Sequence, residues 1–303
     1  MPENRSTFSQ AVKPSDYYFA AVGETYKKHD AAWRQWMTTR SSNDAYETAF
    51  YYSGFGYVPE KPEGAPFQLD ERYEGPEKRW LHKTYALGCR QTQEGKEDDN
   101  FGIMVKAMRD LGTAAAITQH LLATRMLMNA TATTYHAGAD ALAMCVNNHP
   151  ILGGGTWSNV AAAAAPTEAT LTAAIQAYEL ITGPRGRGKK FMRKAKTIIC
   201  GPSLEFTFKK LLESPLEPGT ANNAINPIMG MGLKLIVDSF ITDDRWFIMG
   251  DKDADIGPIH FDRVKTNVSE HGDPNNGDSI YVLRFRESNE FASAENLYLV
   301  PAT

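Results

Sequence analysis

The sequence predicts an α+β protein, and three observations lead there. A proline-free stretch over residues 99–130 repeats Met104, Met108, Leu111, Ala115, Thr118 and Leu122 at alternating steps of four and three, one face of a long helix. Two shorter helical segments begin at residues suited to a helix start, Pro166-Thr167-Glu168 and Pro202. Between and after them lie short apolar runs, at 197–200, 233–241, 246–249, 256–268, 279–286 and 297–300, that read as strands. No segment repeats another.

Along the chain, residues 1–15 are polar and read as a flexible arm. Residues 15–40 read as a helix, with Ser15 or Asp16 as its cap and Val22, Tyr26, Trp33, Trp36 and Met37 as its apolar contacts. Residues 46–92 differ in character. The run Tyr51-Tyr52-Ser53-Gly54-Phe55-Gly56-Tyr57-Val58-Pro59 is followed by further Pro and Gly, which is poor helix material. It reads as a long two-stranded excursion with its turn near 60–65 and a return arm through 80–88. A lone hairpin of this length is not stable in water and needs another surface to lie on, in its own domain or in a neighbouring subunit.

The acidic run Glu97-Asp98-Asp99 with Asn100 then suits the positive end of a helix dipole, so the long helix is expected to open there and to span roughly 45 Å at about 1.5 Å per residue. Thr118 interrupts a coiled-coil seam and Gly112 weakens it. The composition shifts after His149-Pro150, where Gly153-Gly154-Gly155 and the alanines 161–165 mark a boundary. The helix from Pro166 places Leu171, Ala174, Ile175, Tyr178 and Ile181 on one face and stops at Gly183-Pro184. Residues 197–200 form a short buried strand. The helix from Pro202 groups Leu204, Phe208, Leu211 and Leu212, and ends at Pro215. The runs 233–241 and 246–249 flank an Asp243-Asp244 turn, 256–268 and 279–286 are linked by a Gly/Asn-rich turn, and 297–300 closes a sheet.

Composition narrows the function. The chain has 303 residues, 42% of them hydrophobic, enough for one large domain or two modest ones with a buried core. Its 32 basic and 36 acidic residues give a formal charge of −4, which argues against a dedicated nucleic-acid reader. The three cysteines, Cys89, Cys145 and Cys200, are far apart and form no C-x-x-C pair, so neither a disulfide framework nor a structural zinc site is expected. The start of the chain carries no apolar signal region, and no stretch is long enough to span a membrane, so a soluble protein made in a cytoplasm is expected.

Motifs that promise chemistry fall short. Gly183-Pro184-Arg185-Gly186-Arg187-Gly188-Lys189-Lys190 has the spacing of a phosphate-binding P-loop, but Lys190 replaces the Ser or Thr that ligates magnesium, and the segment follows a helix rather than a strand. It reads as a basic loop, with Arg185, Arg187, Lys189 and Lys190 available to phosphate or to a neighbour's carboxylates. Asp251, Asp253 and Asp255 have the first spacings of an EF-hand, but Ile256 stands where Gly is required and Asp262 where Glu is expected. The seven histidines form no close pair, and no G-x-S-x-G surrounds a serine. The sequence therefore implies no catalytic residue, cofactor or metal.

The order of these segments resembles the major capsid proteins of tailed phages, with the Hong Kong 97-type fold. Trp80-Leu81-His82-Lys83-Thr84-Tyr85-Ala86-Leu87-Gly88 running into Glu94 to Asn100 is similar to the end of that family's E-loop and the start of its spine helix. Gly155-Thr156-Trp157-Ser158-Asn159 before Pro166-Thr167-Glu168 resembles the way into its A-domain. The run Ile198-Ile199-Cys200-Gly201-Pro202-Ser203-Leu204-Glu205, with Pro218-Gly219-Thr220-Ala221-Asn222-Asn223 downstream, resembles its strand–helix–loop unit. The strands either side of Asp243-Asp244 resemble the pair that follows. Many relatives carry Val-Pro where this chain has Cys200-Gly201, and no long helical scaffold-like extension is present.

The resemblance implies an N-terminal arm and helix (1–45), an E-loop hairpin (46–92), a spine helix with the first part of a P-domain (93–150), an A-domain (151–255) and the rest of the P-domain (256–303). It implies a non-enzymatic shell protein that assembles with itself into pentamers and hexamers and encloses double-stranded DNA by weak contact. Scaffolding, portal and decoration proteins are the further partners, the location is the virion capsid after assembly in the host cytoplasm, and no Lys–Asn crosslink is expected. Lys61, Asp70, Arg72, Glu74, Lys78 and Arg79 on the excursion are then candidates for contact between subunits. The alternatives are an encapsulin-like nanocompartment shell and a phosphate-binding α/β enzyme acting at Gly183 to Lys190.

Overall fold

The computed structural model describes residues 14–28, 32–50, 52–98, 102–183, 190, 192–216, 225–252, 256–274 and 276–302. The chain divides into two compact units. One takes in residues 1–31, 82–121 and 262–287, the other 32–81, 122–261 and 288–303.

In the first unit, helix α1 (Pro14–Lys28) crosses the long helix α4 (Ile103–Met128). The crossing is close because Gly112 has no side chain: a Cβ there would lie 2.7 Å from the carbonyl oxygen of Val22. What weakens Gly112 as a helix former is thus what lets two backbones meet. The Tyr26 hydroxyl donates to Gln119 Oε1, and Gln119 Nε2 donates to Glu287 at 2.7 Å, so the buried amide is satisfied on both sides. Helix α4 begins later than expected. The acidic residues Glu94 and Glu97 belong to a separate short helix, α3 (Gln93–Glu97), whose cap is Thr92, accepting from the Gly95 amide at 3.2 Å. The 26 residues of α4 extend about 39 Å. Met104, Met108, Leu111 and Ala115 are buried as expected, but the buried stripe then runs through Gln119, Ala123 and Met126 instead of Thr118 and Leu122. Repeated steps of four, rather than alternating steps, carry it round the helix.

Strand β4 (Lys83–Gln91) also belongs to this unit, where it pairs antiparallel with β11 (Ser279–Glu290) from Lys83 opposite Glu287 to Gln91 opposite Ser279. Strand β10 (Ile259–Gly272) lies on the other side of β11. Arg90 bonds Asp278 at 2.6 Å beside the turn that joins β10 to β11, the turn expected from its Gly and Asn content.

The second unit holds a four-stranded sheet in the order β12-β9-β7-β8, made of β7 (Thr197–Cys200), β8 (Lys234–Val237), β9 (Trp246–Met249) and β12 (Leu297–Val300). The pair expected around Asp243-Asp244 is not a hairpin. β7 lies between β8 and β9, parallel to the first and antiparallel to the second. The Asp243-Asp244 segment instead secures a helix end. Asp243 holds the Arg245 guanidinium, which donates to the carbonyls of Leu127 and Met128 at the end of α4. The last carbonyls of a helix have no partner within it, so Arg245 serves as the C-cap.

Helix α5 (Glu168–Glu179) opens with a capping box in which Thr167 and Thr170 bond each other's backbone amides, and buries Leu171, Ala174, Ile175 and Tyr178 as its spacing predicts. Helix α6 (Pro202–Glu213) buries Leu204, Phe208 and Leu211. Both faces join Trp157, Ile198, Cys200, Trp246, Ile248 and Val300 in one core cluster. The helix expected over 15–40 ends instead at Lys28. A one-turn helix α2 (Trp33–Trp36) follows, and Met37 turns the backbone extended into β1 (Thr38–Ser41), where the Thr pair favours a strand. A further short pair was not anticipated: β5 (His149–Pro150) with β6 (Thr156–Trp157), joined across the three glycines, all of which have positive φ.

Candidate functional site

The excursion starts from a small hairpin. β2 (Tyr46–Ala49) pairs antiparallel with β3 (Lys78–Leu81), Tyr46 opposite Leu81 and Ala49 opposite Lys78. Trp80 buries its ring at this root, 5.5 Å from the Phe261 ring and against Ile259, Ala292 and Ala49. Of residues 80–88, expected to carry the return arm, only Trp80 and Leu81 lie in the hairpin. The rest of the stretch expected to return, from Lys83 on, is β4 in the other unit's sheet.

Beyond the root the two arms stay together through a single bridge and a few local bonds rather than a continuous ladder. Tyr52 and Glu74 form a single bridge. The Ser53 amide donates to the Tyr73 carbonyl at 2.8 Å, and the Tyr73 amide returns a bond to Ser53 Oγ at 2.7 Å. Asp70 accepts from the Gly56 amide at 2.5 Å. The turn closes where the Ala65 amide meets the Pro62 carbonyl, with Gly64 at φ 76°.

The six charged residues nominated from the sequence are all on this excursion, and the side chains of four, Lys61, Asp70, Arg72 and Arg79, are engaged within it. Arg72 donates to the Ser53 carbonyl at 3.2 Å and lies over the faces of Tyr52 and Phe55, at 4.9 and 5.9 Å. Arg79 lies 3.4 Å over the Tyr46 ring, and Lys61 5.3 Å from the Phe67 ring. Asp70 holds the Gly56 amide, whereas Glu74 and Lys78 are placed by their backbones, opposite Tyr52 and Ala49. The excursion also exposes large apolar side chains: Val58 and Leu69 are each 96% exposed and Phe67 82%. Sequence reasoning read the charges and passed over these three. The signal was there, as aliphatic and aromatic residues in a segment too rich in Gly and Pro to fold over them.

Of the basic loop, Arg185, Arg187 and Lys189 lie outside the described residues, and Lys190 is exposed. Among the described residues the segment comes after helix α5, whereas a P-loop follows a strand. Its base is firmly held: Arg193 forms a buried ion pair with Glu295 at 2.7 Å and also donates to the Glu295 carbonyl. Beside it the Tyr178 hydroxyl donates to Asn296 Oδ1 at 2.8 Å, and Asn296 Nδ2 to the Asp251 carbonyl. Burial pushes the Tyr178 hydroxyl up to about 12. Asp253 and Asp255 lie outside the described residues. Asp251 pairs with Lys196, and Asp262 sits in strand β10, where an EF-hand would lead into a helix.

Another buried amide, Asn159, ties three segments together. It donates to the Met144 carbonyl at 2.9 Å and the Ala294 carbonyl at 3.3 Å, and accepts from the Val146 amide at 3.0 Å. Near it a depression of about 420 Å³ is lined by Thr131, Cys145, Val146, Asn147 and Val160 to Ala162. Burial pushes the Cys145 thiol far above its ordinary range, so it stays protonated and is no nucleophile. All three cysteines are free.

Comparison with known proteins gives this arrangement a family. Among solved structures, a virus-like particle from Pyrococcus furiosus matches 96% of this chain and 100% of its own, with a TM-score of 0.56 and 10% identity. The capsid of a native GTA particle matches 89% and 90%, with a TM-score of 0.59 and 11% identity. The capsid of Ralstonia phage GP4 matches 88% and 87%, with a TM-score of 0.55 and 10% identity. No curated protein matches the sequence. At such identities the likeness speaks for the fold, which is the Hong Kong 97-type capsid fold that the order of segments implied. The phage capsid protein family itself matches residues 81–301. That match covers most of the chain, so the protein belongs to the phage capsid protein family and is a structural major capsid protein.

Proposed function

We propose that copies of this chain assemble as pentamers and hexamers into a closed icosahedral head around double-stranded DNA, each copy laying its 46–92 excursion on a neighbour. The observation that carries this is the excursion itself. It is rooted by Trp80, held in shape by its own hydrogen bonds, and exposed along nearly all of residues 52–77. A single pair of arms gains no core of its own, so its exposed surface is stabilised only by another body. Many such contacts, each modest, hold a shell together through multivalency.

Lys61, Asp70, Arg72, Glu74, Lys78 and Arg79 lie along the edge of this contact and shape the segment that makes it, and the loop with Arg185, Arg187, Lys189 and Lys190 meets phosphate or a neighbour's carboxylates. The formal charge of −4 suits a container that holds DNA without gripping it. The arm 1–45, the P-domain parts 93–150 and 256–303, and the A-domain 151–255 are the working divisions of the subunit. Scaffolding, portal and decoration proteins complete the virion, and assembly takes place in the host cytoplasm. The role is architectural, with no chemical step.

Expression of the chain in bacteria followed by electron microscopy tests the reading. Closed particles are expected. A chain that stays monomeric both alone and with its phage's other head proteins overturns it.

A further inference from the structure

We propose that the excursion is held to a second copy of this chain by the apolar side chains of Val58, Phe67 and Leu69, with Lys61, Asp70, Arg72 and Arg79 acting within the excursion rather than across the contact. This mode of binding rests on the docking role proposed above.

Val58, Leu69 and Phe67 are the three most exposed large apolar residues of the excursion. Single exposed aliphatic residues are ordinary, but three side chains this exposed within one narrow segment are apolar area that a partner can cover. Lys61, Asp70, Arg72 and Arg79 are otherwise engaged. Asp70 accepts from the Gly56 amide, and Arg72 is bound to the Ser53 carbonyl and stacked on two rings. Arg79 covers Tyr46 and Lys61 approaches Phe67. A guanidinium pulled from such contacts to reach a neighbour gives up what it already has, and an exposed ion pair returns little in water.

A second copy is the fitting occupant on two grounds. A shell built from one chain brings copies together at every contact, in keeping with the capsid family and capsid neighbours this chain matches. The stretch 52–77 is also comparable in length to the roughly 20–30 residues that one side of a standard interface contributes.

The test compares particle yield from expressing cells for the wild-type chain, a Val58→Asp/Leu69→Asp double variant and a variant lacking residues 56–70. Sedimentation and electron microscopy provide the readout. The double variant is expected to lose at least about tenfold in particle yield, the scale set by removing two buried aliphatic side chains from each contact. The melting temperature of its free subunit should stay at the wild-type value, because both positions face solvent in the monomer. Wild-type particles are expected to persist from roughly 0.1 to 1 M salt, over which the screening length falls from about 10 to 3 Å. If the double variant assembles at wild-type yield while the deletion does not, docking stands and the apolar contact is refuted. Particles that fall apart as salt rises refute it equally. If the deletion also assembles normally, the docking role itself fails, and the apolar contact with it.

Discussion

The lobe around β7 and β9 and the excursion beyond β2 and β3 deploy their large side chains in opposite ways. In the lobe, Phe208, Trp246, Phe247 and Ile248 are fully buried, and their polar neighbours Tyr178, Asn159 and Asn296 bond inward. In the excursion Val58, Phe67 and Leu69 face outward, while Arg72, Asp70 and Ser53 bond inward. One region completes its core within a single chain. The other uses polar groups to hold a shape and exposes its large apolar groups, which on the proposed docking meet a partner. Burial within one chain therefore measures different things in the two places, stability in the first and capacity for assembly in the second.

The sharpest way to break this contrast is truncation. Trp246→Ala removes a ring packed 5.2 Å from Phe208, and is expected to cost the free subunit about 3–5 kcal/mol in urea denaturation. Val58→Ala should change it by no more than about 0.5 kcal/mol. Equal effects would end the distinction.

The second prediction follows from the lobe's buried hydroxyl. Burial raises Tyr178 from 10.0 to about 12, so the folded state holds this proton more tightly than the unfolded chain. Its contribution is complete below pH 10 and is lost as the pH rises from 10 towards 12, about 2–3 kcal/mol in all. Tyr178→Phe should flatten the stability profile in that window, which thermal melts across pH would record.

The smallest effect lies in the excursion. Arg72→Ala should weaken its stiffness by about 0.5–1 kcal/mol, seen as faster amide exchange at Ser53 and Tyr73 with no change in global stability.

What the sequence disclosed depended on the range of the interactions involved. Helix α5 was legible because its signals are local: Thr167 as cap, four buried residues at helical spacing, and Gly183 just beyond. Helix α6 was legible for the same reason. The β8–β9 arrangement was not, since Asp243-Asp244 looks like a hairpin turn and nothing nearby in sequence says that β7 inserts between the two strands. The split between α1 and α2 was hidden by continuous helix-compatible composition, and β4 was hidden by its run-on from β3. At the candidate site, exposure and charge could be read directly. The partners of those charges, set by the approach of Ser53 to Tyr73 and Gly56 to Asp70 across the turn, could not.

The pairing of Ala49 with Lys78 means that the chain leaves the body and re-enters it at a single gate. Everything past that gate can lengthen or shorten without shifting a residue of the lobe, because closing a longer loop costs little. On the proposed docking, the span over which one subunit reaches the next is therefore a separately adjustable dimension. Shells of different curvature or spacing can arise from the same body by editing one appendage.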